Sequence, residues 1–109
     1  MLERLAIALV CLLPTLAQGD VTAARRDELL HLLAHDCGSC HGMRLTGGLG
    51  PPLTADALEH RSLEAVRTAI LDGRPAAGMP PWRALLSEEE AAWLAETMKR
   101  GTGNAEIAR

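Results

Sequence analysis

The chain has 109 residues, a formal net charge of −3, no Phe, no Tyr and only two tryptophans. That length fits one domain, and the acidic balance excludes a nucleic-acid partner, which needs a face of clustered Lys and Arg. With so little aromatic mass a chain of this size makes a thin core by itself, so apolar material from elsewhere is expected to complete it.

The first residues, Met1-Leu2-Glu3-Arg4, precede an apolar run over 5–13, which is followed by Pro14 and small or polar residues. This is the layout of a secretory signal peptide. The run is too short to span a bilayer as a helix of the mature protein. Residues 1–19 are therefore expected to be removed, with cleavage after Ala17 or Gly19. Residues 20–109 are then expected to remain as one exported domain, with no transmembrane segment. The competing reading is an uncleaved anchor. Cys11 lies inside the run and is lost with it.

Residues 21–36 contain neither Gly nor Pro. Leu29, Leu32 and Leu33 recur at helical spacing, and Thr22 or Asp20 is placed to cap the start. The helix is expected to stop at Asp36. His31 and His35 are four apart and share a face. They are a possible metal pair, but with no third ligand nearby a solvated face is the expectation.

Cys37-Gly38-Ser39-Cys40-His41 reads C-x-x-C-H, the sequence at which haem is attached covalently. Two thiols add across the two vinyl groups of one haem, and the intervening residues are expected to form a tight turn. His41 then offers its imidazole to the iron as proximal ligand. A zinc site would need a second Cys/His pair, and a thioredoxin-like thiol pair would need a βαβ context. Neither is present, and a buried haem supplies the missing apolar mass. Export agrees with this motif, because covalent haem attachment of this kind is carried out in the bacterial periplasm, and the cysteine pair is then consumed by haem and not by a disulfide.

Gly42, Gly47, Gly48 and Gly50 make the next loop permissive, and Pro51-Pro52-Leu53 stiffens its end. His41 needs a hydrogen-bond acceptor on Nδ1 to fix its tautomer. The Pro51 carbonyl is the nominated acceptor, and Leu53 is expected to pack on the haem. An ordinary Pro-rich turn is the bland alternative. Thr54 should cap a short helix ending near Glu59. Ser62 should cap another, with Leu63, Val66, Ile70 and Leu71 as its apolar stripe and Gly73 as its stop. Glu64 and Arg67 are spaced to pair on its surface.

Gly78-Met79-Pro80-Pro81-Trp82 is the second constellation. A thioether suits haem iron, and a His/Met pair raises the reduction potential above that of His/His. Met79 is the expected second ligand, since Met43 is too close to His41 to reach the opposite face and Met98 sits on a helix. His60 is a weaker candidate. Trp82 is expected to wall the haem edge. Arg44, Arg61, Arg67, Arg74 and Trp82 are all candidate propionate partners. Ser87-Glu88-Glu89-Glu90 reads as a capping box for a last helix bearing Trp93, Leu94 and Met98. Gly101 should stop it, and residues 102–109 should fray.

In this order the motifs resemble the class I c-type cytochromes: C-x-x-C-H after a first helix, Gly50-Pro51-Pro52-Leu53, the Met79 loop, and an aromatic-bearing last helix. The resemblance implies an all-α fold of three to four helices around one covalently attached haem c, in which the first and last helices cross. Leucines stand where the family usually has an aromatic at that crossing. The run from Asp36 through Gly50-Pro51, with Gly73-Arg74-Pro75 and Leu85-Leu86-Ser87-Glu88, is similar to the small monohaem cytochromes of the nitrite-reductase gene cluster, the NirC type. That likeness implies a periplasmic electron carrier, not an enzyme, whose partners are the dihaem nitrite reductase and an upstream donor. Alternatives are a maturation factor for the second haem of that reductase and a haem-based gas-binding protein. The expected contact rim surrounds the Cys37–Cys40 edge and includes Met43, Leu45 and Leu49.

Overall fold

A computed structural model describes residues 20–107. The expected leader, residues 1–19, lies outside the described residues. The elements run α1 (Ala23–Leu32), a π-helical turn (Leu33–Cys37), α2 (Gly38–His41), α3 (Ala55–Leu58), α4 (Leu63–Asp72), a 3₁₀ turn (Pro75–Ala77), α5 (Glu88–Lys99) and α6 (Thr102–Ile107). The expected all-α architecture is what forms. Among the described residues the sole strand-like pairing is an antiparallel bridge between Arg74 and Met79.

Hydroxyl caps start the helices. Thr22 Oγ1 accepts from the Arg25 N–H, Thr54 Oγ1 from Ala57, Ser62 Oγ from Ala65 and Ser87 Oγ from Glu90. Each satisfies an amide that the helix itself leaves open and is worth about 1 kcal/mol. The Glu90 carboxylate takes Arg25 as its main partner, and the Ser87 backbone is a lesser contributor to holding its pKa down.

Two expected helix ends are corrected. The first helix does not stop at Asp36, and the C-x-x-C-H segment is not a separate turn. The chain continues as helix to His41, with one wide turn in which the Gly38 N–H reaches back to the Leu33 carbonyl. In a regular α-helix His41 would sit about 80° around the axis from the core-facing Leu33. The wider π turn rotates less per residue and takes up part of that offset. Both side chains end up buried. At the other end Gly101 does stop α5, with φ 75°. Residues 102–107 then form α6, where fraying was expected. Gly103 lets α6 lie close, since a Cβ there would come 3.1 Å from Leu33 Cδ2.

The core sits between α4 and α5, closed by the first helix. Val66, Ile70 and Leu71 meet Ala91, Leu94, Ala95 and Met98, with Leu29 and Leu33 from the other side. Fully burying a leucine such as Leu29, Leu33 or Leu94 is worth about 1.5–3 kcal/mol. Trp93 is only partly buried and lies at the rim, with the Arg26 guanidinium 5.8 Å above its ring. Arg25 ties α1 to α5 through a bidentate pair with Glu90, at 2.9 and 3.1 Å. Lys99 reaches across to the carbonyls of Leu58 and Arg61, fastening the end of α3.

Candidate metal centre

The helix that carries Cys37 and Cys40 presents two free thiols, one half-buried and one exposed. Burial, helped by the neighbouring Asp36 charge, pushes the Cys37 thiol up to about 11, so it remains neutral through the physiological range. Ser39 Oγ donates to the Asp36 carbonyl at 2.7 Å and steadies the turn between them.

His41 ends this helix and is buried. Its Nδ1 lies 2.6 Å from the Pro51 carbonyl oxygen. A carbonyl can only accept, so Nδ1 carries the proton and Nε2 holds the lone pair. The ring is walled on another side by Gly50. A Cβ at that position would lie 2.7 Å from both Nδ1 and Cε1, so no other residue leaves the imidazole where it is. The loop between is folded back on the helix by main-chain bonds. The Gly47 N–H donates to the His41 carbonyl and the Gly50 N–H to the Cys40 carbonyl, both at 2.8 Å. Leu53 donates to the Leu45 carbonyl at 2.9 Å and packs against the core.

Leu45 departs from its expected place on the contact rim. It is fully buried, and it holds a left-handed backbone with φ 60°. That conformation costs a leucine about 1–2 kcal/mol, which burial of the side chain offsets. Met43 and Leu49 are on the surface as expected, at 58% and 95% exposure. Asn104 of α6 holds this loop from outside, donating Nδ2 to the Arg44 carbonyl.

Met79 is partly buried and sits at the end of its own loop. Its N–H and carbonyl both pair with Arg74, at 3.1 and 2.9 Å. Gly73 is the close-approach residue here. It has φ 68°, and a Cβ on it would lie 2.6 Å from the Met79 carbonyl oxygen. Trp82 packs partly buried against the core, its N–H shared between the Ile70 and Leu71 carbonyls.

The remaining candidates separate. Arg67 is engaged by Glu64 and Glu88, and the carbonyl of exposed Arg61 is held by Lys99. Arg74 and His60 are exposed. His31 and His35 are exposed and stack with ring centroids 5.5 Å apart. Among the described residues no group of three or more His, Cys, Asp and Glu is placed to hold a metal ion. The roles of Gly50 and Gly73 escaped the sequence reading as contacts, because a glycine's spacing says nothing of what it must avoid. The signal available was only that each stands one or a few residues from a proline-rich segment.

The donor set therefore fits haem: a buried imidazole with a fixed tautomer, two unpaired thiols on the same helix, and a thioether on a second loop. The family described as cytochrome c oxidase, cbb3-type, subunit III, matches residues 24–96. Cytochrome c55X of Paracoccus denitrificans (strain Pd 1222) is 54% identical over 95 residues, covering 87% of this chain and 92% of that protein. Cytochrome c55X of Pseudomonas aeruginosa is 50% identical over 97 residues, covering 89% of this chain and 82% of that protein. A solved structure of the c-type cytochrome NirC superposes with a TM-score of 0.74 at 50% identity, covering 75% of this chain and 96% of that chain. The chain belongs to the class I c-type cytochromes, in the group of small cytochromes that includes cytochrome c55X and NirC.

Proposed function

We propose that this protein is a periplasmic single-electron carrier, with one haem c attached through Cys37 and Cys40 and its iron held by His41 and Met79. The observation that carries the reading is the His41 site. A buried imidazole donates Nδ1–H to Pro51, so its Nε2 lone pair is free for a metal, and Gly50 fixes the ring. When bound, the haem supplies one-electron chemistry at iron.

The chain's own residues do the rest. The Pro51 carbonyl makes the imidazole a stronger donor and prevents its rotation. Met79 would hold the iron together with His41 when haem is bound, which would leave no position for substrate and make the protein a carrier and not an enzyme. Leu53 and Trp82 belong to the pocket walls. The exposed Cys40 edge, with Met43 and Leu49, is the rim for a brief, small encounter with a partner. The partners in this reading are the dihaem nitrite reductase of denitrification and an upstream donor. Residues 1–19 act as the export signal. Among the described residues no helix is long and apolar enough to cross a membrane.

Two measurements test this. Met79→Ala should lower the reduction potential and let the reduced protein bind carbon monoxide. Carbon monoxide binding equal to that of the wild type removes Met79 from the iron. Stopped-flow reoxidation of the reduced protein by purified dihaem nitrite reductase should be rapid and saturate with reductase. Slow transfer with an intact His/Met spectrum moves the role to maturation of the reductase or to another partner.

A further inference from the structure

We propose that Arg83 is a positioning residue for Met79: it locks the base of the Met79 loop onto the end of α4 and so sets how readily the thioether leaves the iron. The proposal rests on the His41/Met79 reading given above.

The loop over residues 73–86 leaves α4 and returns to α5. Its outer part, residues 74–78, is exposed throughout. The tip therefore has no core packing to hold Met79, and its position depends on how the two ends of the loop are fixed. One end is Gly73, pressed against the Met79 and Pro80 backbone. The other end is Trp82-Arg83. The Trp82 N–H is shared by the Ile70 and Leu71 carbonyls, each at 3.1 Å, and the Arg83 N–H donates to Leu71, also at 3.1 Å. These are carbonyls that the last turn of a helix leaves unpaired.

The Arg83 side chain closes the same helix end. Its Nη2 and Nε lie 2.7 and 2.9 Å from Asp72 Oδ1, and Nη1 lies 3.4 Å from Glu88 Oε1. Glu88 in turn faces Arg67 at 3.6 Å, and Arg67 pairs with Glu64 at 2.7 Å. The result is a chain of alternating charge, Asp72–Arg83–Glu88–Arg67–Glu64, across α4, the loop's end and the start of α5. A guanidinium beside the C-terminal end of α4 also suits the helix dipole.

An isolated exposed ion pair holds little. Here each arginine lies between two carboxylates, and Arg83 reaches Asp72 through both Nε and Nη2 from a backbone already bonded to α4, so the pair is part of a network and not isolated. Loss of the side chain leaves residues 80–86 held by main-chain bonds, partly buried Trp82 and buried Leu86, with no ion pair fastening the loop's end to Asp72. The opening that carries Met79 away then becomes more frequent, while the His41 loop, which shares none of these residues, is untouched.

The test uses the ferric holoprotein and two readouts: the near-infrared thioether-to-iron absorption, and the rate at which added imidazole replaces Met79. Arg83→Ala should raise that rate about fivefold, and Asp72→Asn should raise it comparably. The double variant should be no faster than the faster single one, because both remove the same pair. Arg83→Lys should recover part of the difference. Glu90→Gln, which breaks an ion pair elsewhere, should lower thermal stability and leave the imidazole rate unchanged. A wild-type rate in Arg83→Ala and Asp72→Asn overturns the proposal. So does a rate in all three variants that simply follows their melting temperatures. A wild-type protein without the near-infrared band overturns the His41/Met79 reading and the proposal with it. A wild-type band and a rate unmoved by Arg83→Ala overturns the proposal alone.

Discussion

The loop that follows His41 and the loop that carries Met79 both deliver one side chain, and they are built differently. His41 is at the end of a continuous helix, and the chain then doubles back to place Pro51 and Gly50 against its ring. Main-chain bonds at 2.8 Å return from Gly47 and Gly50 to the last helical carbonyls, and Leu45 is fully buried beneath. Met79 instead follows an exposed 3₁₀ turn and is joined to its own loop by a single bridge to Arg74. One side chain is fixed by its surroundings; the other is fixed by the ends of its loop. In the carrier proposed above, this design would give one constant ligand and one whose departure can be tuned without disturbing the first.

The sharpest way to break the contrast is at Gly50. Gly50→Val puts a side chain into space held by the His41 ring. It should abolish His-ligated holoprotein, read as the loss of the low-spin haem spectrum in exported protein. The corresponding change on the other side, Gly73→Ala, meets φ 68° and the Met79 carbonyl at 2.6 Å. It should lower the melting temperature by about 5–10 °C. Haem should still be incorporated, and the reduced variant should bind carbon monoxide. If Gly73→Ala also stops haem incorporation, the two loops are not independent and the contrast fails.

The smallest effect should come from Glu90, outside both loops. The Arg25 guanidinium holds its carboxyl below the usual range. The folded pKa is the lower one, so this contribution is present above the unfolded pKa and is lost as pH falls through the folded value. Glu90→Gln should lower the melting temperature by roughly 2–4 °C near neutral pH. The difference from wild type should vanish in acid, as melting curves across that range will record. Carbon monoxide binding should not change.

Much of the local structure was legible. Thr22, Thr54, Ser62 and Ser87 cap the helices they were expected to cap, and Gly73 and Gly101 end theirs. Such signals act over three or four residues, within the reach of one side chain. Apart from the His41–Pro51 bond, which was expected, what could not be read were contacts between distant segments. Asp36 looked like a helix end because a reactive turn was expected after it, and only the π-helical turn shows that the helix runs on. Leu45 looked like surface in a glycine-rich loop, and the fold tucks it into the core. Residues 102–107 had weak helical character of their own, yet Gly103 allows them to pack on Leu33.

By itself the sequence determined the chemistry on offer: a pair of thiols and an imidazole on one stretch, a thioether between prolines on another, and helices to carry them. These follow from residue type and short spacing, which hold whatever the rest of the chain does. Only the tertiary structure decided what walls the His41 ring and that Arg83 closes the Met79 loop onto α4. Each of these joins residues ten or more positions apart, or depends on an atom's absence, and neither relation is set until the chain has packed.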